Sequence, residues 1–244
     1  MYEGMFYVDL HSHILWGVDD GAKDKEMSRE MLKMAYDQGI RTILATSHSY
    51  PNDSSRKHEK ITERAQELNQ MAQEIDVNFH VFIGNEILYR ESIVEELENN
   101  MVHTLAGSQY VLVEFLPGEH YRRILHGVQS LVEYGYCPII AHIERVRTLV
   151  KERKHIQELI EAGAYMQMNA GSLLGSIFHR ETRNLYKLIS EGYVHFLGSD
   201  CHNTTSRPPV MEQAIKKLRK KIPEDILKDV LENNPESLLH KEYI

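Results

Sequence analysis

The chain of 244 residues is long enough to bury a complete core as one large α/β domain. Its formal net charge is -8, from 28 basic and 36 acidic residues, which argues against non-specific attraction to a nucleic-acid backbone and requires any anionic substrate to meet local positive charge. Two cysteines, Cys137 and Cys201, make no disulfide framework and fit a reducing cytoplasm, Met1-Tyr-Glu-Gly-Met5 lacks a basic region followed by an apolar stretch and so predicts no signal peptide, and no apolar run approaches the ~20 residues of a membrane span.

Short apolar runs alternate with longer amphipathic ones, the pattern of repeated βα units around a parallel sheet. Residues 6–10 predict a first strand, which runs into His11 and His13. Residues 25–38 carry apolar side chains at helical spacing and end at Gly39, and a second strand at 42–46 runs into His48. A helix over 58–75 precedes a strand at 79–84, which leads to Glu86. The fourth strand, 110–114, closes on Glu114 and is followed by a helix over 121–134 ending at Gly135. Strand 138–141 precedes His142, helix 153–162 ends at Gly163, and strand 165–168 precedes Asn169. Helix 182–191 ends at Gly192, and the seventh strand, 195–198, runs into Asp200 and His202. After Pro208-Pro209, residues 210–221 and 224–231 predict two closing helices. No linker or repeat interrupts the pattern, so residues 1–244 read as one domain.

The unusual polar residues thus fall at the C-terminal end of one strand after another, the face on which an α/β barrel carries its active site. Glu86 and Glu114 stand in otherwise buried-strand sequence, where a carboxylate is costly unless a cation neutralises it. Imidazoles and carboxylates without paired thiolates suit manganese, iron or zinc. His11, His13, His48, His142 and His202 with Glu86, Glu114 and Asp200 exceed one ion's coordination shell, so two or three ions are expected. Asp9 reads as an acceptor that orients a ligand or as half of a barrel salt bridge, and Asp19 and Asp20 sit in a turn closed by Gly21. Arg145 and Arg207 supply forked donors at the barrel mouth, suited to phosphate oxygens.

Cys201 and Arg207 also match Cys-x5-Arg, the spacing of thiol-based tyrosine phosphatases. The residues between them contain no glycine to let backbone N–H groups wrap a phosphate, and alternation turns Cys201 away from the Asp200/His202 pair. A cysteine nucleophile is therefore not expected.

Asp9-Leu-His-Ser-His13, Asp19-Asp-Gly21, Thr46-Ser-His48, Gly84-Asn-Glu-Ile87, Val113-Glu-Phe115, Ala141-His-Ile-Glu-Arg145, Met168-Asn-Ala-Gly-Ser-Leu173 and Ser199-Asp-Cys-His202 together resemble the polymerase and histidinol phosphatase (PHP) superfamily. Asp19-Asp-Gly21, His142-Ile-Glu-Arg145 and Arg207-Pro-Pro209 narrow the resemblance to the bacterial manganese-dependent tyrosine-protein phosphatases of capsule and exopolysaccharide operons. The resemblance implies a distorted (β/α)7 barrel of PHP type and TIM-like architecture. It also implies a trinuclear manganese (Mn2+) centre, within the two or three ions that the ligand count allows and with Fe or Zn as alternatives, and hydrolysis of phosphotyrosine by metal-activated hydroxide. The family's ligands fall on His11, His13, Asp20, His48, Glu86, Glu114, His142, Asp200 and His202, and its phosphate-holding arginines on Arg145 and Arg207. The implied partner is a phosphotyrosine protein, the tail of a cognate bacterial tyrosine kinase, with a homo-oligomer left open. The departures are a short extension before Tyr7, and Ser49-Tyr50 after His48 where many relatives carry another histidine. A small-molecule phosphatase such as one for histidinol phosphate, a phosphodiesterase, an amidohydrolase and a non-catalytic metal-bound kinase adaptor are the alternatives.

Overall fold

A computed structural model describes residues 6–51, 53, 55–176 and 178–244. The N-terminal segment read above as no signal peptide, 1–5, lies outside the described residues. Seven strands, β1 (Tyr7–Ser12), β2 (Ile40–Ser49), β3 (His80–Leu88), β4 (Tyr110–Glu114), β5 (Cys137–Ile140), β6 (Tyr165–Asn169) and β7 (Phe196–Gly198), form one sheet in sequential order, every neighbouring pair parallel. Residues just beyond β7 close the ring onto β1: Asp200 N–H donates to the His11 carbonyl (2.7 Å), and His13 N–H donates to the Cys201 carbonyl (2.8 Å). This is the expected distorted (β/α)7 barrel.

Ten helices are described: α1 (Lys25–Asp37), α2 (Ser55–Ile75), α3 (Ile93–Glu98), α4 (Tyr121–Glu133), α5 (Arg147–Lys151), α6 (Arg153–Glu161), α7 (Arg180–Ser190), α8 (Glu212–Leu218), α9 (Glu224–Lys228) and α10 (Asn234–Leu239). Gly39 and Gly163 stop α1 and α6 with φ of +86° and +99°, a conformation that glycine adopts without a Cβ penalty. The short helices α3, α5 and α10 were not expected. Each is six residues or fewer, too little chain to display a helical period. Helix 210–221 shortens to α8, and α9 continues through a wide turn, Asp229–Asn233, into α10. No helix among the described residues is long and apolar enough to cross a membrane.

Two strands outrun their apolar sequence. β2 and β3 pair from Thr42↔His80 through His48↔Glu86 to Ser49↔Ile87. His48 and Glu86 are therefore register partners inside the sheet rather than loop residues after it. Below them Leu10, Leu44, Leu112, Ile139 and Phe196 pack with Leu105 and Leu238 into a cluster of their own. Along β2, Leu44, Thr46 and His48 share one face by the twofold period. The barrel interior is thus apolar at its base and polar at its mouth.

His195, just before β7, ties two strands together: its Nδ1 accepts the Met166 N–H (3.1 Å) and its own N–H donates to the Met166 carbonyl (2.9 Å). Burial pushes the imidazole down to about 4. Because the folded value lies below the unfolded one, its contribution to stability is complete above about pH 6.5 and is lost as pH falls from there towards 4, where the unfolded chain takes the proton first. After allowance for its partial exposure, this loss is about 2 kcal/mol. Urea midpoints measured at pH 7 and pH 4.5 should therefore converge less steeply in His195→Asn, whose side-chain oxygen still accepts the Met166 amide. Equal pH slopes in the two proteins would count against this role.

Candidate metal centre

The barrel mouth gathers every side chain expected as a ligand. Glu86, 1% exposed on β3, is the pivot. Its Oε2 lies 3.1 Å from His11 Nε2, 3.1 Å from His13 Nε2 and 3.0 Å from His48 Nδ1, while Oε1 lies 2.7 Å from His142 Nε2. Asp200 Oδ1 faces His13 Nε2 at 3.4 Å and His11 Nε2 at 3.7 Å. Asp20 Oδ1 stands 3.5 Å from both His48 Nε2 and His202 Nε2, and Glu114 borders His142 (3.7 Å) and His48 (3.9 Å). Three sets have ligand atoms within 4.8 Å of one another: His13, Asp20, His48 and His202; His11, His13 and Asp200; and His48, Glu86 and Glu114.

Local backbone makes this crowding achievable. The β1–β2 register shifts between Asp9 and Ser12, an irregularity that re-aims the side chains leaving the strand. His142 and Asp200 hold φ of +31° and +52°, a strained conformation for non-glycine residues that persists where surrounding contacts enforce it. Gly198 and Gly21 permit close approach, since a Cβ on Gly198 would lie 2.5 Å from His11 Cβ and one on Gly21 would lie 2.1 Å from the His13 carbonyl oxygen.

Two residues to which the sequence assigned no role in the site, Asp19 and Gln167, orient the cluster. Asp19 is the buried member of the turn pair: its Oδ2 lies 2.9 Å from His13 Nδ1 and accepts the His48 N–H (2.9 Å). Gln167 Oε1 accepts the His142 N–H (2.7 Å) and faces His11 Nδ1 (3.2 Å), while Gln167 Nε2 donates to Asn169 Oδ1 (2.9 Å). Such partners fix ring orientation and tautomer. Of the two roles expected of Asp9, it makes no ion pair among the described residues and touches a ligand residue only through the main chain. Its Oδ1 accepts the Ser199 N–H (2.7 Å) and the His11 N–H (3.3 Å), so it clamps β1 to the residue that follows β7.

The electrostatics are those of a site built around positive charge. Burial opposes ionisation of Glu86, yet His11, His13 and His142 hold its carboxyl well below the usual carboxylate range. Burial likewise opposes protonation of His13, but Asp19, Asp200 and Glu86 outweigh it and raise the imidazole well above its ordinary value. For Glu114, burial and the nearby Glu86 raise the carboxyl. In His202, burial first and then His13 and Arg207 push the imidazole down to about 4. Its Nδ1 lies 3.0 Å from the Asp200 carbonyl oxygen, a donor's position, which leaves Nε2 as the lone-pair nitrogen. That Nε2 is buried without a hydrogen-bond partner, as are Glu86 Oε2, His48 Nδ1 and His142 Nδ1. Buried polar atoms are ordinarily satisfied. Close atoms at angles unsuited to hydrogen bonds, together with an all-imidazole and carboxylate donor set, fit divalent metal ions.

Arg145 and Arg207, each roughly two-fifths exposed, converge on one atom: their Nη2 groups lie 2.7 Å and 2.8 Å from Asp200 Oδ2, which also accepts the Asn169 side-chain amide at 2.7 Å. Cys201, between Asp200 and His202, is 1% exposed and packs into the main hydrophobic core. Burial and then Asp9 hold its thiol far above the ordinary value, the opposite of what a thiolate nucleophile requires.

The chain matches the model of the capsular polysaccharide synthesis family CpsB/CapC over residues 7–240. Tyrosine-protein phosphatase CpsB of Streptococcus pneumoniae is 35% identical over 242 residues, covering 97% of this chain and all of the relative. Tyrosine-protein phosphatase YwqE of Bacillus subtilis strain 168 is 34% identical over 239 residues, 97% of this chain and 93% of the relative. Among solved structures, the YwqE and CpsB crystal structures, described as unique metal-dependent tyrosine phosphatases, match with a TM-score of 0.88 and 33% identity over 97% of this chain and 96% of the other.

Proposed function

The chain belongs to the CpsB/CapC family, and from that membership and the geometry of the barrel mouth we propose that it is a metal-dependent protein-tyrosine phosphatase. The observation that carries the reading is the placement of two guanidinium groups, converging on Asp200 Oδ2, at the edge of three overlapping sets of metal-type ligand atoms. His11, His13, Asp20, His48, Glu86, Glu114, His142, Asp200 and His202 would hold the ions, and manganese is the metal proposed, with iron or zinc as alternatives. Ions held there lower the pKa of water and offset charge on phosphoryl oxygens.

The remaining work falls to the chain itself. Arg145 and Arg207 bind and orient the phosphoryl group and balance the charge that builds on it, each placing one terminal nitrogen on Asp200 while its partly exposed side chain has further donors for phosphate oxygens. Asn169 and Asp200 keep the two forks aligned before substrate arrives. Asp19 and Gln167 hold His13 and His11 in orientation. With Cys201 buried, the reading includes no phosphocysteine intermediate. The phenolate, of pKa near ~10 in water, leaves without strong acid assistance. The substrate proposed is the phosphorylated tyrosine-rich tail of a cognate bacterial kinase in the cytoplasm.

Chelation is expected to abolish hydrolysis of a phosphotyrosine peptide and Mn2+ to restore it, while Cys201→Ser keeps most of the activity. Assays side by side with histidinol phosphate separate a protein phosphatase from a small-molecule one. Activity that survives chelation and dies with Cys201→Ser overturns the metal reading, and absence of turnover on any phosphate ester leaves the adaptor alternative.

A further inference from the structure

Between α5 and α7 a cleft of about 440 Å³ opens directly beside the phosphate-holding arginine, with Arg145, Arg147, Lys151, Ser172 and Leu185 among its walls. A second cleft, of about 640 Å³, shares Val150, Lys151, Glu181 and Asn184 with the first and extends the hollow outward past Arg153 and Arg180. The two form one trough leading away from Asp200 along the loops that follow β5 and β6. In a barrel of this type those loops border the mouth, so the trough lies within reach of residues flanking a phosphotyrosine held by Arg145.

The trough's charge runs against that of the protein as a whole. Glu144 is occupied internally, accepting the Asn169 N–H (3.1 Å) and the Ser172 hydroxyl (2.8 Å). Arg153 pairs with Glu191, and Arg145 with Asp200. Arg147, Lys151 and Arg180 are exposed and make no salt bridge among the described residues, and Glu181 is the exposed acid among them. A chain with formal net charge -8 thus keeps three cations without a salt bridge along the trough, Arg147 and Lys151 beside Arg145 and Arg180 further out. Such a local excess of positive charge attracts an acidic peptide although the chain as a whole is acidic.

We propose that this trough binds aspartate and glutamate side chains flanking the phosphotyrosine of the substrate, so that the enzyme selects acidic phosphopeptides; the proposal rests on the phosphatase reading above. Exposed ion pairs are individually weak, each a factor of about two, so three together give a preference of about tenfold.

The test compares manganese-loaded protein on phosphotyrosine peptides whose flanking residues are acidic, neutral or basic, with p-nitrophenyl phosphate as a small ester lacking flanks. The acidic peptide should show a kcat/KM about tenfold above the neutral one and higher still above the basic one, with the difference shrinking at high salt. In Arg147→Ser/Lys151→Ser/Arg180→Ser the ratio of acidic-peptide to small-ester kcat/KM should fall about tenfold, a ratio taken within one protein so that partial misfolding cancels. Lys151→Glu should reverse part of the order between acidic and basic flanks. Turnover of the small ester with equal kcat/KM for all three flanks, or a ratio unchanged in the triple variant, overturns the trough alone. No turnover of any ester overturns the phosphatase reading and this assignment with it.

Discussion

Glu86→Gln is expected to reduce phosphatase activity by at least about a thousandfold and to lower the bound metal together with it. The substitution preserves shape and removes one charge, so the size of the effect reports charge at the pivot of the site. Glu86 stands within 3.1 Å of four imidazoles, three of them at a single oxygen, and that oxygen has no hydrogen bond of its own. An amide in its place offers a nitrogen with two hydrogens or an oxygen without charge, and neither can draw four lone-pair nitrogens and their cations together. Glu114 provides the contrast. It is partly exposed, lies no closer than 3.7 Å to its imidazole neighbours and touches only His48 and His142, so Glu114→Gln should empty the site less completely. Elemental analysis of both proteins after dialysis, alongside kcat/KM on a phosphotyrosine peptide, checks the order. Full metal content in Glu86→Gln would remove Glu86 from the centre of the site.

How much of this was legible in the sequence follows from how far each signal reaches along the chain. His11, His48, Glu86, Glu114, His142 and Asp200 could be found because each ends or interrupts an apolar run, and strand direction then carries them to one face. The barrel itself followed from the same alternation. Asp19 could not be separated from Asp20, since in Asp19-Asp-Gly21 both read as turn residues and only the folded turn decides which carboxylate is buried against His13 and which faces His48 and His202. Gln167 left a weak trace, a polar side chain within Tyr165-Met-Gln-Met-Asn169, but its partners His11 and His142 lie more than twenty residues away in the chain. The prolongation of β2 and β3 past their apolar cores was invisible for a related reason. Polar residues extend a strand when their side chains are consumed by a site, and hydropathy does not report that use. Asp9 was placed on β1 beside His11, but its clamp to Ser199 was not legible, because it is made to a backbone N–H that carries no residue identity.

Arg145→Ala and Arg207→Ala are each expected to lower kcat/KM by about 100-fold to 1000-fold, the scale on which one charged donor to a developing oxyanion contributes, while metal content stays near that of the parent. The separation follows from where the guanidiniums bind. Both reach Asp200 Oδ2, whereas Oδ1 is the oxygen turned towards His11 and His13. Removing one arginine leaves Oδ2 its Asn169 amide and the other arginine, so Asp200 keeps its orientation and the ligand face is preserved. Removing both leaves only Asn169, and the double variant should lose less than the product of the single losses, because the two forks act on the same phosphoryl group. Arg145→Lys restores a point charge without the planar fork and should recover only part of the activity. Inhibition by inorganic phosphate adds an independent reading: its affinity should fall in each alanine variant in step with kcat/KM, since both ligands need the same donors. If metal content fell with activity in Arg145→Ala, the two guanidiniums would be holding the centre together through Asp200 rather than holding the phosphate.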